Sequence, residues 1–296
     1  MLLRRCFQAL VVTCLLSSCA APAPTANSAP AAPCALPGRP AQPTHAFVWP
    51  HGTRAAVSLT YDDAIQSQID NAVPALARHS LPATFFLTGT SPYLREHLEA
   101  YRALVAAGHE LGSHTMYHPC DRGQSWVKPG FGLQDYDLPR MRKELDESIQ
   151  QLQDLGQKAP FSFAYPCGST WLGETHLSYV PLIEQSFIAA RGVVPSVAEP
   201  RAVSFFEVPG AMGNATAADL KQWVDRALSS GGWVVFVFHG VAGDYLDVTA
   251  DAHETLLAYL DVHKSSIWTE PFGRVASYIQ AQSPAPVPAP SPSPRL

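Results

Sequence analysis

The sequence is short of charged residues and contains no run of basic ones. Charged side chains account for 15% of the 296 residues, and the formal net charge at pH 7 is -5. A protein that binds nucleic acid through electrostatic attraction needs a patch of positive charge. We therefore expect no nucleic-acid partner. No internal repeat is evident in the chain either.

A membrane-spanning hydrophobic run is also missing from the N-terminus. The apolar stretch Phe7–Leu16 follows Arg4 and Arg5, whereas a helix needs about 20 apolar residues to span a bilayer. A short apolar core behind positive charge is typical of a signal peptide. The stretch ends in Leu16-Ser17-Ser18-Cys19, which resembles a bacterial lipobox.

The lipobox resemblance implies an exported bacterial lipoprotein. Residues 1–18 would form its signal peptide, and a lipid on Cys19 would hold the protein at the membrane. An ordinary signal peptide cleaved nearby is the alternative. Ala20 differs from the aspartate that signals retention at the inner membrane. We therefore expect a cell-envelope protein at the outer membrane, facing the periplasm or the cell surface.

Composition divides the rest of the chain into a domain with a linker at each end. Residues 19–44 are rich in Ala and Pro and predict an extended tether, and the Pro-rich residues 283–296 predict a similar tail. Residues 45–282 are left for folding. That length and the apolar content suit a single catalytic domain.

The first candidate site motif is a pair of carboxylates at the end of an apolar run. The run 55–61 predicts a buried strand that ends in Asp62 and Asp63, and barrel enzymes place their catalytic groups at such strand ends. His114 and His118 follow about fifty residues later. Two histidines and one carboxylate can hold a metal ion with one coordination position open to water. The other aspartate can then serve as the base of a hydrolase.

Each half of this motif has a simpler explanation when taken alone. An Asp-Asp pair is common in turns and helix caps, and a His-x-x-x-His spacing arises by chance in a chain with 11 histidines. The combination, with each piece at the end of an apolar run, favours a functional site.

Two further predicted strands end in groups that a hydrolase of this kind needs. Residues 162–168 form a short strand that ends in a Pro-x-Gly turn, whose backbone amides can stabilise an oxyanion. Residues 232–240 form an apolar strand that carries His239 at its carboxyl end, where an imidazole can act as general acid. A strand-end histidine bonded to the backbone is the alternative for His239.

These motifs resemble those of the polysaccharide deacetylase superfamily, also called the NodB-homology or carbohydrate esterase family 4 domain. Residues 60–64 resemble its first motif, Thr-Phe-Asp-Asp-Gly, and residues 114–119 match its second, His-Ser/Thr-x-x-His-Pro, at every position. Residues 164–168 and 236–239 correspond to its third and fifth motifs. The resemblance covers about residues 55–279 and implies an α/β fold, a deformed (β/α) barrel.

The resemblance also implies a role for each matched residue. Asp62 would be the general base and His239 the general acid. The backbone amide of Cys167 would stabilise the oxyanion. A divalent metal, zinc in the first instance with cobalt or nickel as alternatives, would be held by Asp63, His114 and His118.

The chain departs from the family pattern at three places. Ala164 stands where many members have an arginine that orients the base, as in an arginine-lacking branch of the superfamily, and Ala64 replaces a glycine. The fourth motif, Asp-x-x-Asp-Trp, is absent, and residues 204–210 occupy the corresponding region. The acidic partner of His239 is therefore open, with three candidates: Glu207, Asp244 and Asp247.

The resemblance places two of the six cysteines at the same mouth of the barrel. Cys120 lies two residues after His118, and Cys167 lies at the oxyanion turn. In an exported protein we expect a disulfide between them. The other cysteines belong to the signal peptide, the lipidation site and the tether: Cys6, Cys14, Cys19 and Cys34.

Three aromatic residues are candidates for substrate binding, because aromatic faces pack against sugar rings. Trp126 lies in the loop 121–137 after the histidine ligands, Tyr165 in the third motif, and Tyr245 in the segment after His239. The loop aromatics can equally pack on their own domain.

The expected function is that of a hydrolase acting on carbon-nitrogen bonds other than peptide bonds. Its substrate would be an acetylated glycan containing N-acetylhexosamine, with release of acetate. The alternatives are an acetyl xylan esterase, which removes O-acetyl groups, and a catalytically weak glycan-binding envelope lipoprotein. Ala164 and the missing fourth motif motivate the last of these.

Overall fold

The computed structural model describes residues 47–282. The signal peptide, Cys19, the tether and the tail lie outside this range, and so do residues 45 and 46 of the expected domain. Among the described residues no helix has the length and apolar character needed to span a bilayer.

The described chain alternates between strands and helices. Its strands are β1 (Ala55–Asp62), β2 (Thr84–Leu87), β3 (Glu110–Ser113), β4 (Ser162–Ala164), β5 (Trp171–Leu172), β6 (Leu177–Ser178), β7 (Ala189–Arg191), β8 (Ala211–Met212), β9 (Trp233–Phe238) and β10 (Ile267–Thr269). Its α-helices are α1 (Val73–His79), α2 (Pro92–Glu96), α3 (Leu98–Ala106), α4 (Leu138–Asp154), α5 (Val180–Ser186), α6 (Ala217–Ser230), α7 (Ala250–Val262) and α8 (Phe272–Gln282).

Strand β1 is the centre of a parallel sheet with the order β7-β4-β3-β2-β1-β9-β8. All eight residues of β1 are buried, as expected for a parallel strand covered on both faces. Strand β9 pairs with β1 from Ala56 to Tyr61. The other side of β1 is shared, with β10 pairing at its start and β2 at its end. Strands β5 and β6 form a separate antiparallel pair.

The sheet curls so that its two ends approach each other. Val208 donates to the carbonyl of Ala190 and accepts from Gly192, both at 2.9 Å, and three residues later the chain enters β8 beside β9. In this part of the chain only Ala211 and Met212 form a strand, which pairs with β9. The expected α/β fold, a deformed (β/α) barrel, is confirmed.

All strands of this sheet run parallel, so their carboxyl ends lie at one mouth of the barrel. Strands β1, β3, β4, β7 and β9 each end next to a residue that the motifs single out or that contacts one. Side chains far apart in the sequence are brought together there by strand pairing.

Candidate active site

The two aspartates lie on either side of the point where β1 ends. Asp62 is the last residue of the strand, and Asp63 and Ala64 both have left-handed backbone, with φ of 80° and 57°. Such backbone is strained for residues other than glycine and is often found at functional sites. Ala64 thus adopts a conformation that suits the family's glycine, and Ser91 Oγ supports it by donating to its carbonyl at 2.7 Å.

The expected metal ligands come together at this mouth. Asp63 Oδ1 lies 3.6 Å from His114 Nε2 and 3.4 Å from His118 Nε2, and one donor atom from each residue lies within 4.8 Å of the others. His114 Nδ1 is 2.8 Å from the carbonyl of Ala164. Because a carbonyl only accepts, Nδ1 carries the proton and the Nε2 lone pair faces Asp63. This is how metal-binding histidines are usually held.

The electrostatics of the three side chains suit a cation. Burial lowers the pKa of His114 to about 4, so its imidazole is neutral at pH 7. Burial alone would raise the pKa of Asp63, but the nearby imidazoles of His118, His114 and His239 hold that pKa below its usual value. A carboxylate and two imidazoles in this arrangement fit a divalent metal ion.

Asp62 is held by an arginine that the sequence analysis did not identify. Arg191 Nη2 donates to Asp62 Oδ2 at 2.5 Å, and the Arg191 side chain is fully buried. Arg191 ends β7 and pairs in register with Ala164 on β4. The guanidinium therefore reaches Asp62 from the strand next to the one that would carry the family's arginine. The available signal in the sequence was a single charged residue inside the otherwise apolar segment 187–192.

The second oxygen of Asp62 is unpaired. Asp62 Oδ1 is buried and has no hydrogen-bond partner among residues 47–282. The Asp62 side chain is thus fixed through one oxygen while the other can accept a proton. Asp62 Oδ2 also lies 3.9 Å from His114 Nε2, so the carboxylate is next to the candidate metal cluster.

His239 lies at the same mouth but has no acidic partner on its second nitrogen. Its Nε2 is 3.8 Å from Asp63 Oδ2, and its Nδ1 is buried with no hydrogen-bond partner in the described part of the chain. The three acidic candidates from the sequence are exposed, and Asp244 Oδ2 accepts instead from the amide of Ser67 at 2.7 Å. None of the three therefore forms a hydrogen bond with His239 Nδ1 in the described part of the chain.

A disulfide joins Cys120 to Cys167, the pair that the sequence analysis links. Cys120 Sγ lies 3.5 Å from His118 Nδ1, while Cys167 has left-handed backbone with φ of 53°. The bond therefore ties the loop that carries a metal ligand to the turn that follows β4.

Loss of this disulfide is expected to lower the free energy of unfolding by about 2–4 kcal/mol, because the bond closes a long loop in the unfolded chain. The two cysteines are 47 residues apart. Urea unfolding of the Cys120→Ala/Cys167→Ala variant measures the change. A non-chelating reductant should lower the wild-type midpoint to that of the variant and leave the variant unaltered. A wild-type midpoint that stays constant with both thiols reduced would contradict the prediction.

The three aromatic candidates for substrate binding lie in different surroundings. Trp126 is 62% exposed, and Tyr245 is half-exposed with its hydroxyl donating to Asp63 Oδ2 at 2.9 Å. Burial is the main reason that the pKa of Tyr245 is raised above its usual value, so the hydroxyl keeps its proton. Tyr165 is only 1% exposed and packs between Phe163 and Tyr179. The prediction that its side chain binds substrate is wrong, because it belongs to the core.

The loop 121–137 divides its aromatic residues between surface and core. Tyr136 is buried, with the Arg140 guanidinium 3.8 Å from the centre of its ring. Phe131 packs 4.9 Å from the half-exposed ring of Tyr117, which lies next to His118. Part of the loop thus packs on its own domain, while the side chains of Trp126 and Tyr117 remain accessible.

Residues 50–179 match the family model described as polysaccharide deacetylase. Over these residues the chain is similar to the polysaccharide deacetylase family. A chitooligosaccharide deacetylase of Bradyrhizobium sp. (strain ANU 289) is 44% identical over 69 residues, which are 23% of this chain and 30% of that protein. The family is one of hydrolases, and its first three motifs lie within the matched residues.

Two further relatives extend over more of the chain. A gellan lyase of Bacillus sp is 24% identical over 260 residues, which are 79% of this chain and 10% of that protein. The crystal structure of a Mycobacterium smegmatis protein assigned to the polysaccharide deacetylases covers 84% of this chain and 99% of its own, with a TM-score of 0.58 and 18% identity. That likeness supports the fold. The chain spans between 10% and 32% of the length of these curated relatives and of a Sinorhizobium fredii chitooligosaccharide deacetylase.

Proposed function

We propose that this deacetylase-family protein is a metal-dependent carbohydrate deacetylase. Its reaction would hydrolyse N-acetyl groups of a glycan that contains N-acetylhexosamine and release acetate. The observation that carries the proposal is the state of Asp62. Arg191 holds its Oδ2, while its Oδ1 has no hydrogen-bond partner among residues 47–282. The same carboxylate lies beside the Asp63, His114 and His118 cluster, with Oδ2 3.9 Å from His114 Nε2. The chitooligosaccharide deacetylases among its relatives support the choice of substrate.

Asp63, His114 and His118 would hold the metal, with zinc the first choice and cobalt or nickel acceptable to the same donors. When bound, a divalent ion lowers the pKa of a coordinated water and polarises the acetyl carbonyl.

The protein's own groups then carry the proton transfers. Asp62 Oδ1 takes the proton from the attacking water, while Arg191 keeps the carboxylate in place. The backbone amide of Cys167 donates to the developing oxyanion. His239 protonates the leaving nitrogen, which departs as an amine only after it has gained a proton.

A second function, removal of O-acetyl groups as in an acetyl xylan esterase, is favoured by one observation. The buried Nδ1 of His239 has no acidic partner within residues 47–282. No carboxylate therefore stabilises the protonated imidazole that an amine leaving group requires. An alkoxide leaves with less help from an acid than an amine does. The same site would therefore serve an ester.

Acetate release by the zinc-loaded protein decides between these functions. The protein is offered N-acetylglucosamine oligomers and acetylated xylan, with the Asp62→Asn variant as the blank. Faster release from the oligomers supports the proposed function, and release from xylan alone would replace it by the esterase. A protein that binds zinc and releases acetate from neither substrate would favour a different glycan substrate or the glycan-binding alternative.

The His239→Ala variant is expected to lose more activity on an amide than on an ester. General acid catalysis is worth about 10²–10⁴-fold, and the amine leaving group depends on it more strongly. The ratio of kcat/KM for N-acetyl and O-acetyl substrates should therefore fall by at least about tenfold. Equal losses on both substrates would contradict the role of His239 as acid.

A further inference from the structure

The loop after β9 carries Tyr245 to the mouth of the barrel. This loop, residues 240–248, closes on itself through three backbone bonds. The amide of Gly240 donates to the carbonyl of Tyr245 at 3.1 Å, Val248 donates to Gly240 at 3.0 Å, and Ala242 donates to Val248 at 2.8 Å. The backbone on both sides of Tyr245 is therefore hydrogen-bonded.

The loop is also fixed to the segment that follows the catalytic aspartates. The buried Ser67 donates its amide to Asp244 Oδ2 at 2.7 Å, and its hydroxyl accepts from the amide of Val241 at 3.1 Å. Three residues other than glycine have left-handed backbone in this loop: Ala242, Asp244 and Leu246. Strained backbone of this kind persists only where the surroundings impose it. The loop is thus built to present Tyr245 in one position.

In that position the Tyr245 hydroxyl is bonded to only one of the two carboxylate oxygens of Asp63. Its hydroxyl donates to Oδ2 at 2.9 Å, whereas Oδ1 accepts from Thr88 Oγ1 at 3.3 Å and faces the Nε2 atoms of His114 and His118. His239 Nε2 is nearer to the Oδ2 side, at 3.8 Å. Each oxygen of the carboxylate therefore has its own set of neighbours.

We infer that Tyr245 is a positioning residue for the metal ligand Asp63, a role that rests on the proposed metal-dependent function. By occupying Oδ2, its hydroxyl leaves Oδ1 as the oxygen that faces a cation. Groups that orient a metal ligand in this way typically contribute 10–100-fold to metal affinity. The assignment differs from a direct contact between Tyr245 and the glycan, because it acts through Asp63.

The Tyr245→Phe variant tests this inference, since it keeps the ring and removes only the donor. We expect its Kd for zinc, measured by competition with a chromophoric chelator, to rise about 10–100-fold. The visible spectrum of the cobalt-loaded protein should also change. Deacetylase activity should fall at limiting zinc and return to within a few-fold of wild type at saturating zinc.

Tyr259→Phe is the matched control. It removes a tyrosine-to-carboxylate bond of the same kind, from Tyr259 to Asp225 at 2.6 Å, between helices α6 and α7. This variant should bind zinc as the wild type does.

Two results would overturn the inference. A Tyr245→Phe variant with wild-type zinc affinity, an unchanged cobalt spectrum and a raised KM at saturating metal would show a substrate contact instead. A wild-type protein that binds neither metal would remove the proposed function together with the role of Tyr245. The first result leaves the proposed function intact, so the two failures are distinguishable.

Discussion

The Asp62→Asn variant is expected to lower kcat/KM for acetate release by about 10³-fold, within the range for loss of a general base. An amide has nearly the shape of the carboxylate but does not take a proton from water. Asp62 Oδ1 has no hydrogen-bond partner among residues 47–282, and the carboxylate lies 3.9 Å from His114 Nε2 through Oδ2. Oδ1 is therefore the atom whose chemistry the variant alters. Acetate release under saturating metal measures the loss.

The same variant is expected to be less stable, for a reason unrelated to catalysis. Arg191 is fully buried, and Asp62→Asn leaves its charge without a counterion. Breaking a buried ion pair on one side costs about 3–5 kcal/mol. Urea unfolding of Asp62→Asn should show a loss of that order.

A double variant separates stability from catalysis. Asp62→Asn/Arg191→Leu removes both charges, so it should unfold at a higher urea concentration than either single variant. Its activity should stay as low as that of Asp62→Asn. Recovery of activity along with stability would mean that Asp62 is a structural partner of Arg191 and not the base.

The Arg191→Ala variant is expected to lower kcat/KM by about 10²-fold, because small misplacements of a catalytic group have effects of that size. Arg191 Nη2 donates to Asp62 Oδ2 at 2.5 Å, and without this bond the carboxylate is free to turn. The loss should appear mainly in kcat, since Arg191 is buried and away from any bound glycan. A stability loss of about 3–5 kcal/mol should accompany it.

Strand register offers a rescue of this variant. Ala164 pairs directly with Arg191 across β4 and β7, and paired residues of parallel strands place their side chains on the same face. The Ala164→Arg/Arg191→Ala variant moves the guanidinium to the position that many family members use. We expect it to recover at least about tenfold of the lost activity, a gain of about 1.4 kcal/mol. Ala164→Lys/Arg191→Ala is the control, because a lysine lacks the fork that orients a carboxylate. Equal recovery by both would show that only charge matters.

The sequence by itself determined the fold class and singled out three residues that meet as a candidate metal cluster. Strand β1 is a continuous apolar run, which is a local signal for a buried parallel strand. Asp63 follows that strand directly, and His114 and His118 lie four residues apart in one loop. Each of these motifs is contained in a short stretch of chain. The local backbone therefore limits how far apart the residues of one motif can lie.

The tertiary structure decided which groups hold those residues. Arg191 meets Asp62 because β7 pairs with β4 in a register that sequence does not state, 129 residues further along the chain. Tyr245 reaches Asp63 only through the folded loop after β9. Tyr165 is in the core because alternate side chains of one segment point to opposite faces. Contacts between distant strands depend on register and side-chain direction, and these are set by the packing of the whole barrel.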